Sequence, residues 1–190
     1  VGLYEIVSTV MDFQFTSTIA HYLDGAAIGK QFSTVFALTN IVSMLVQLFL
    51  TSLVMSRLGL GVALLVLPVA ALAGSTGFMA LPILWMGSAL NTLDNGFSYS
   101  INHTTKEALY VPTTRDEKYK AKAFIDMFVQ RLAKAVAVVV SLGITSVFKE
   151  FSSIRWLSVF TIAVIVLWII AARYAGRRFQ EITERSSVSN

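Results

Sequence analysis

The sequence predicts an all-α, polytopic membrane protein with six transmembrane helices. Three observations carry that prediction. Of 190 residues, 55% are hydrophobic and only 14% are charged, against about 25% charged in an ordinary soluble domain. Mean hydropathy is +0.69. The apolar residues fall in runs of about 20, long enough to cross a bilayer core. Stretches such as residues 162–172 (IAVIVLWIIAA) lack the strict alternation of a membrane β-barrel. This balance excludes a soluble globular enzyme and a disordered chain, and the absence of cysteine excludes a secreted disulfide scaffold.

Six segments qualify as spans. The first runs from residue 1 to about 22 and contains Glu5 and Asp12. The second, 32–56, carries no charge. The third is about 62–79. The fourth, 83 to about 109, turns polar in its second half. The fifth, about 124–148, is also marked by charges, and the sixth, 154 to about 174, is the most uniformly apolar. Gly59, Gly61, Pro82 and Pro112 punctuate the breaks. The chain thus divides into a bundle over residues 1–176 and a tail over 177–190, which reads as a short amphipathic helix fraying into serines. Because the chain opens on Val1 directly in an apolar segment, with no basic leader, it reads as a piece of something longer.

Basic residues set the orientation. With six crossings, Arg57, Arg115, Lys118, Lys120, Arg173, Arg177, Arg178 and Arg185 fall on one side, and Lys30, Lys149 and Arg155 on the other. The positive-inside bias therefore places both ends in the cytoplasm. The same bias accounts for the net charge of +4 and the pI near 9.5 without a nucleic-acid partner. Two histidines and no cysteine predict no metal centre and no cofactor. No Ser/His/Asp or Cys/His set is present, so no enzyme is expected.

Polar side chains at membrane depth are costly and face a cavity or a partner. In the first helix, Glu5 and Asp12 lie two turns apart on one face, with Gln14 near them. In the second, Asn40 and Gln47 repeat that spacing and read as interhelical hydrogen-bonding groups. In the fourth, Asn91, Asp94, Ser98, Asn102, Thr105 and Lys106 form one polar stripe. Asp94 lies about 17 Å from the outer end, near the midplane. It is either a counter-ion for a neighbouring basic residue or a gating or proton- or ion-coupling carboxylate.

In the fifth helix, Lys122, Asp126, Gln130 and Lys134 follow at steps of four, with Arg131 at the stripe's edge. Lys134 is about 15 Å deep, too far in to snorkel comfortably, and Ala133, Ala135 and Ala137 flank it. A buried lysine and arginine on one face suit an anionic substrate. The alternative is neutralisation by Asp94, Asp126 or Asp12. Gly25–Lys30 (GAAIGK) is a poor phosphate loop, with one residue too few and Gln31 where Ser or Thr belongs. The Asn102-His103-Thr104 sequon lies within a helix, where His103 reads as an ordinary polar residue. The small-residue run Ala70, Ala71, Ala73, Gly74 and Gly77 reads as helix packing.

TKEALYVP (105–112) followed by KYKAKAFIDMFVQRLAK (118–134) resembles the ATP/ADP translocase family of plastids and obligate intracellular bacteria. That family's pattern is TKE-x-x-Y-x-P, then a K-x-K-x-x-ID run and an R-L-G-K element. The matching positions are Thr105, Lys106, Glu107, Tyr110, Pro112, Lys120, Lys122, Ile125, Asp126, Arg131, Leu132 and Lys134. MDFQF (11–15) is similar to a D-Y-Q-F element in the seventh helix of free-living bacterial relatives, and the second helix fits the same branch.

The resemblance implies the C-terminal half of a twelve-helix, major-facilitator-like transporter in the bacterial inner membrane. Membrane lipid, an anionic nucleotide and an N-terminal six-helix half would be its partners. It implies ATP/ADP-type exchange by alternating access. Lys134, Arg131 and Lys122 would meet phosphates. Asp94, Asp126, Asp12 and Glu5 would gate or couple, and Asn91, Ser98, Asn102, Lys106 and Gln130 would line the cavity. The family's glycines around the lysine are Ala133, Ala135 and Val136 here, which predicts less room for a phosphate. That change leaves open a second reading, a non-transporting membrane scaffold for soluble regulatory modules.

Overall fold

The computed structural model describes residues 1–111, 115–147 and 150–188, with the side chains of 152 and 184–188 left aside. Pro112, Phe148 and Lys149, and the side chain of Arg185, lie outside the described residues. Everything described is helix or short connection. α1 is Gly2–Tyr22. α2 is Ala26–Arg57 and α3 is Gly59–Ala80. α4 runs unbroken through Leu84–Phe97, Ser98–Asn102 and His103–Leu109. α5 is Arg115–Val147. A 3-10 turn, Phe151–Arg155, leads into α6, Trp156–Val188.

These helices fall where the apolar runs predict, with three differences. α2 begins before its apolar run, at Ala26, and α5 begins at Arg115 rather than near 124. The residues added to α5 (RDEKYKAKA) are charged, but most of them are good helix formers. Hydropathy marks where a helix enters lipid, not where it starts. α6 also continues without a break past residue 176 to Val188, so no helix end separates bundle from tail.

Among the described residues, four helices are long and apolar enough to cross a membrane: α2, α3, α5 and the 153–183 stretch around α6. α1 and α4 are the polar pair. They stand at the centre of the bundle rather than at its edge. α1 packs on α4, α5 and α6, and α4 packs on α1, α2 and α3. α3 and α6 make the most extensive contact. α2 leans mainly on α4, and α5 mainly on α1. Exchanging α1 with α4, α2 with α5 and α3 with α6 leaves this pattern of neighbours unchanged.

Local chemistry explains the joints. Gly59 has φ of +76°, a conformation that costs an L side chain energy but not glycine, and it lets α3 start directly after α2. Pro82 sits in the short link between α3 and α4, where no helical N–H is required. Gly176 lets α6 meet the start of α3: a Cβ there would lie 3.1 Å from Gly61 Cα. The core is shared by Val7, Val10 and Met11 of α1, Leu67 and Phe78 of α3, Leu90 of α4, and Leu157 and Ile165 of α6. At one end, His21 stacks on Phe151 with ring centroids 3.8 Å apart, joining α1 to the 3-10 turn.

Among the described residues, three helices contain a π-helical turn: Val46–Thr51 in α2, Ser98–Asn102 in α4 and Ile125–Val129 in α5. The first two pack against each other. Such turns carry one residue more than an α-helix needs and often occur beside functional sites.

Candidate functional site

The polar faces of α1, α4 and α5 converge on one cavity of about 540 Å³. Glu5, Ser8 and Asp12 line it from α1, Ser98, Tyr99 and Lys106 from α4, and Lys134 from α5. The i, i+7 spacing of Glu5 and Asp12 puts both carboxylates on this wall, as the sequence predicts. Gln14 turns away: it is buried and donates to Ser158 Oγ at 2.9 Å and to the Ile154 carbonyl at 3.2 Å, tying α1 to α6.

Lys134 is the cavity's deep cation from α5. Its ammonium lies 3.6 Å from Glu5 Oε2, and its side chain remains 59% exposed. It is therefore paired and still open to a second anion. Of the three residues that replace the family's glycines, Ala133 is buried. Ala135 and Val136 are exposed and are not part of the cavity lining, so these substitutions do not fill the space beside Lys134.

The α1–α4 contact behind the cavity is held by directional bonds. Ser8 Oγ donates to Asp94 Oδ2 at 2.6 Å. Asn91 Nδ2 donates to Asp12 Oδ1 at 2.7 Å. Tyr4 and Ser98 share a hydroxyl–hydroxyl bond at 2.5 Å. Asp94 is 1% exposed, and its Oδ1 is buried without a hydrogen-bond partner, as is Asn91 Oδ1. Lys106 reaches back over the Tyr4 ring, 5.3 Å from its centroid, a distance at which a cation is attracted to the ring face.

A second, smaller cavity of about 290 Å³ lies along the α4–α5 junction, lined by Lys106, Glu107, Tyr110, Lys122, Asp126 and Gln130 among others. Lys122 is bound there rather than beside Lys134. Its ammonium is 2.5 Å from Glu107 Oε1 and 5.5 Å from the Tyr110 ring centroid, and Lys118 adds a longer contact of 3.9 Å to the same carboxylate. Gln130 donates to Asp126 Oδ1 at 3.2 Å. The sequence stripe on α5 is thus split between two cavities. Arg131 is exposed and lines neither. Asn102 faces a third, mostly apolar cavity with Tyr4, Lys106 and Trp168, and its buried Nδ2 has no partner.

Several cavity residues carry no sequence signal of their own. Tyr4, Ser8, Thr9, Asn95 and Tyr99 are ordinary in a membrane helix, and His103, read as an ordinary helix residue, lines the main cavity too. A helical projection from Glu5 and Asp12 would have gathered Ser8 and Thr9, which lie between them. Asn40 and Gln47, read as interhelical bonding groups, are exposed on α2. The α2–α4 bonds among the described residues come instead from Gln31 to Ser88 at 2.9 Å, Thr39 to Thr92 at 3.3 Å and Thr105 to Met55 Sδ at 4.0 Å.

Comparison with known proteins gives the family. The family description "TLC ATP/ADP transporter" matches residues 79–179, more than half of the chain, from the end of α3 into α6. The chain is 28% identical over 162 residues to ADP,ATP carrier protein 1 of Chlamydia muridarum, covering 74% of this chain and 31% of that protein. It is 25% identical over 162 residues to ADP,ATP carrier protein 1 of Chlamydia pneumoniae, covering 74% and 32%. Against ADP,ATP carrier protein 1 of Rickettsia prowazekii it is 26% identical over 105 residues, covering 53% and 21%. The chain spans about a third of the length of the first two of these relatives. No solved structure matches it. The matched region holds Asp94, Lys106, Lys122 and Lys134, and on the extent of that match the chain belongs to the TLC ATP/ADP transporter family.

Proposed function

We propose that this chain forms part of a secondary transporter that exchanges adenine nucleotides of the ATP/ADP type by alternating access. The observation that carries the reading is Lys134: a lysine on a membrane helix, paired with Glu5 yet open to the main cavity, in a family whose named relatives are ADP,ATP carriers. A phosphate entering the cavity would compete with Glu5 for the ammonium. Substrate arrival then breaks the α1–α5 ion pair, and substrate departure restores it. Arg131 and Lys122 are supporting phosphate ligands in this scheme, reached only if α5 turns or Glu107 releases Lys122. Glu5, Asp12, Asp94 and Asp126 act as gate or coupling groups. Asn91, Ser98, Asn102, Lys106 and Gln130 shape the cavity.

In this reading the six helices all cross the membrane, α1 and α4 included. They form a 1–176 bundle with a 177–190 extension and serve as the C-terminal half of a major-facilitator-like carrier. The exchange-symmetric neighbour pattern supports two inverted three-helix repeats. The exposed faces of α2 and α5 are where an N-terminal half would seat. The basic loops favour cytoplasmic ends in a bacterial inner membrane.

The test is counterflow of labelled ATP against ADP by the full-length protein in liposomes. Lys134→Ala is expected to cut uptake at least ~30-fold, because a hydrogen bond from a charged group to a substrate phosphate contributes about 2 kcal/mol. Uptake indifferent to that change sinks the phosphate role of Lys134. Folded protein that moves no nucleotide sinks the exchange reading.

A further inference from the structure

The main cavity and the α4–α5 cavity adjoin. They share two wall residues, His103 and Lys106 of α4. The α4–α5 cavity lies at the end of the bundle where α4 stops, at Leu109, and α5 starts, at Arg115.

The two cavities differ in charge. The main cavity is balanced, with Glu5 and Asp12 against Lys106 and Lys134. The α4–α5 cavity is not. Lys106 and Lys122 line it with Glu107 and Asp126, and Lys118 adds a third cation through its contact with Glu107. Three ammonium groups against two carboxylates leave an excess of positive charge. Asp126 corrects little of it. Its described bond comes from the neutral amide of Gln130, and among the described residues no ion pair reaches it.

Glu107 therefore serves two lysines alone, Lys122 on Oε1 at 2.5 Å and Lys118 on Oε2 at 3.9 Å. The three side chains are a third or more exposed, and pairs open to water contribute little, so exchanging this carboxylate for another anion costs little. Helix spacing builds the arrangement. Lys118 and Lys122 lie one turn apart on α5, and Glu107 and Tyr110 one turn apart on α4. Lys122 also rests near the Tyr110 ring, 5.5 Å from its centroid. Lys120, between the two lysines in sequence, turns outward and pairs with Asp116 at 3.0 Å with its side chain 80% exposed.

We propose that the α4–α5 cavity is an outer station for a phosphate chain, in which Lys118 and Lys122 exchange Glu107 for phosphate before the chain passes Lys106 into the main cavity. An anion approaching this end is drawn first to the positive cavity. A phosphate chain offers several charged oxygens to both lysines at once, whereas Glu107 has two to divide between them. Lys106, on the shared wall, has only the Tyr4 ring to leave. Lys122 then stands ahead of Lys134 on one path, rather than beside it in one site. The choice of a phosphate chain as occupant rests on the exchange reading. The excess of cations does not.

The experiment uses the full-length protein in detergent at constant ionic strength, with inorganic triphosphate as the probe. Mass spectrometry reads the initial acetylation rate of each lysine with and without it. Lys118 and Lys122 are expected to react at least ~5-fold more slowly under saturating probe, because an ammonium held by phosphate oxygens is withheld from the reagent. Lys120 is expected to change less than ~2-fold, since it faces away from the cavity. No slowing at Lys122, or equal slowing at all three lysines, overturns the proposal.

Two variants locate the probe. Lys134→Ala should leave the protection of Lys122 in place, and its loss would put the phosphate in the main cavity and overturn the station. Glu107→Gln removes the internal competitor and should lower the half-protecting triphosphate concentration ~2–5-fold, the range an exposed ion pair covers. An unchanged or higher concentration makes Glu107 a structural tie and overturns the exchange of partners. None of these readouts needs transport. Protection of Lys122 in protein that moves no nucleotide upholds the station while the exchange reading falls, and nucleotide exchange without that protection does the reverse.

Discussion

Two contacts between helices run through the bundle. Between α3 and α6 the surfaces are apolar and small: Leu67, Ala71, Ile165 and Ala172 are buried, and Gly61 and Gly176 let the backbones approach. No side-chain hydrogen bond joins these two helices among the described residues. Between α1 and α4, three hydrogen bonds and two carboxylates do the joining. In lipid, close packing of small residues holds helices without needing water to drive them together. A contact made of shape has one good arrangement. A contact made of hydroxyls, amides and acids can trade partners with a ligand or a proton. In the proposed exchange the first would serve as a fixed frame and the second as the part that changes.

The contrast can be broken from either side. The largest effect is expected at the polar seam. Glu5→Lys places two cations beside each other and should reduce nucleotide counterflow at least ~100-fold, and the swap Glu5→Lys with Lys134→Glu should recover part of it. Recovery identifies the pair as a mutual latch. No recovery assigns each residue its own role toward the substrate.

At the apolar seam, Gly176→Leu should destabilise the fold by about 1–3 kcal/mol, because added methylenes have no space at Gly61. The readout is a lower melting temperature in detergent, with the KM of whatever protein remains folded unchanged.

Gln14 crosses from the polar helix to the frame. Gln14→Leu strands the Ser158 hydroxyl and should cost about 1–2 kcal/mol, whereas Gln14→Leu with Ser158→Ala should cost less than the single change. Additive costs would show that the two groups act separately. The smallest effect is expected on the α6 extension, where Arg178 pairs with Glu181 at 2.8 Å in the open. Arg178→Gln should leave the melting temperature unmoved, since exposed pairs contribute little.

The sequence is most explicit where the membrane is the judge. Long apolar runs mark helices because backbone groups in lipid must bond within their own segment, so the order of elements and most boundaries follow. Glu5, Asp12, Asp94 and Lys134 stand out for the same reason: with six crossings each would be expensive at depth. Partner choice is far less legible. Lys122 and Lys134 look alike on a helical wheel, yet Glu107 captures one and Glu5 the other. That outcome depends on how α4 and α5 meet, a distance no periodicity encodes. Gln14 sits two residues from Asp12, yet 200° of helical rotation sends it to α6. Asn40 and Gln47 have the spacing of a bonded stripe but lie on a face that no described helix covers.

The π-helical turns bear on how this protein can change over generations. An ordinary membrane helix fixes its own length, since one residue added or removed swings everything beyond it by about 100°. A helix with a residue in surplus is free of that rule. Deleting one residue within Ser98–Asn102 would close the turn to a plain α-helix and leave Asp94 on one flank and Lys106 on the other in nearly the same rotational phase. Length differences among relatives should therefore fall inside the helices at these three turns, as well as in the loops. Where they do, the residues on the cavity wall keep their facing while their spacing in the chain changes.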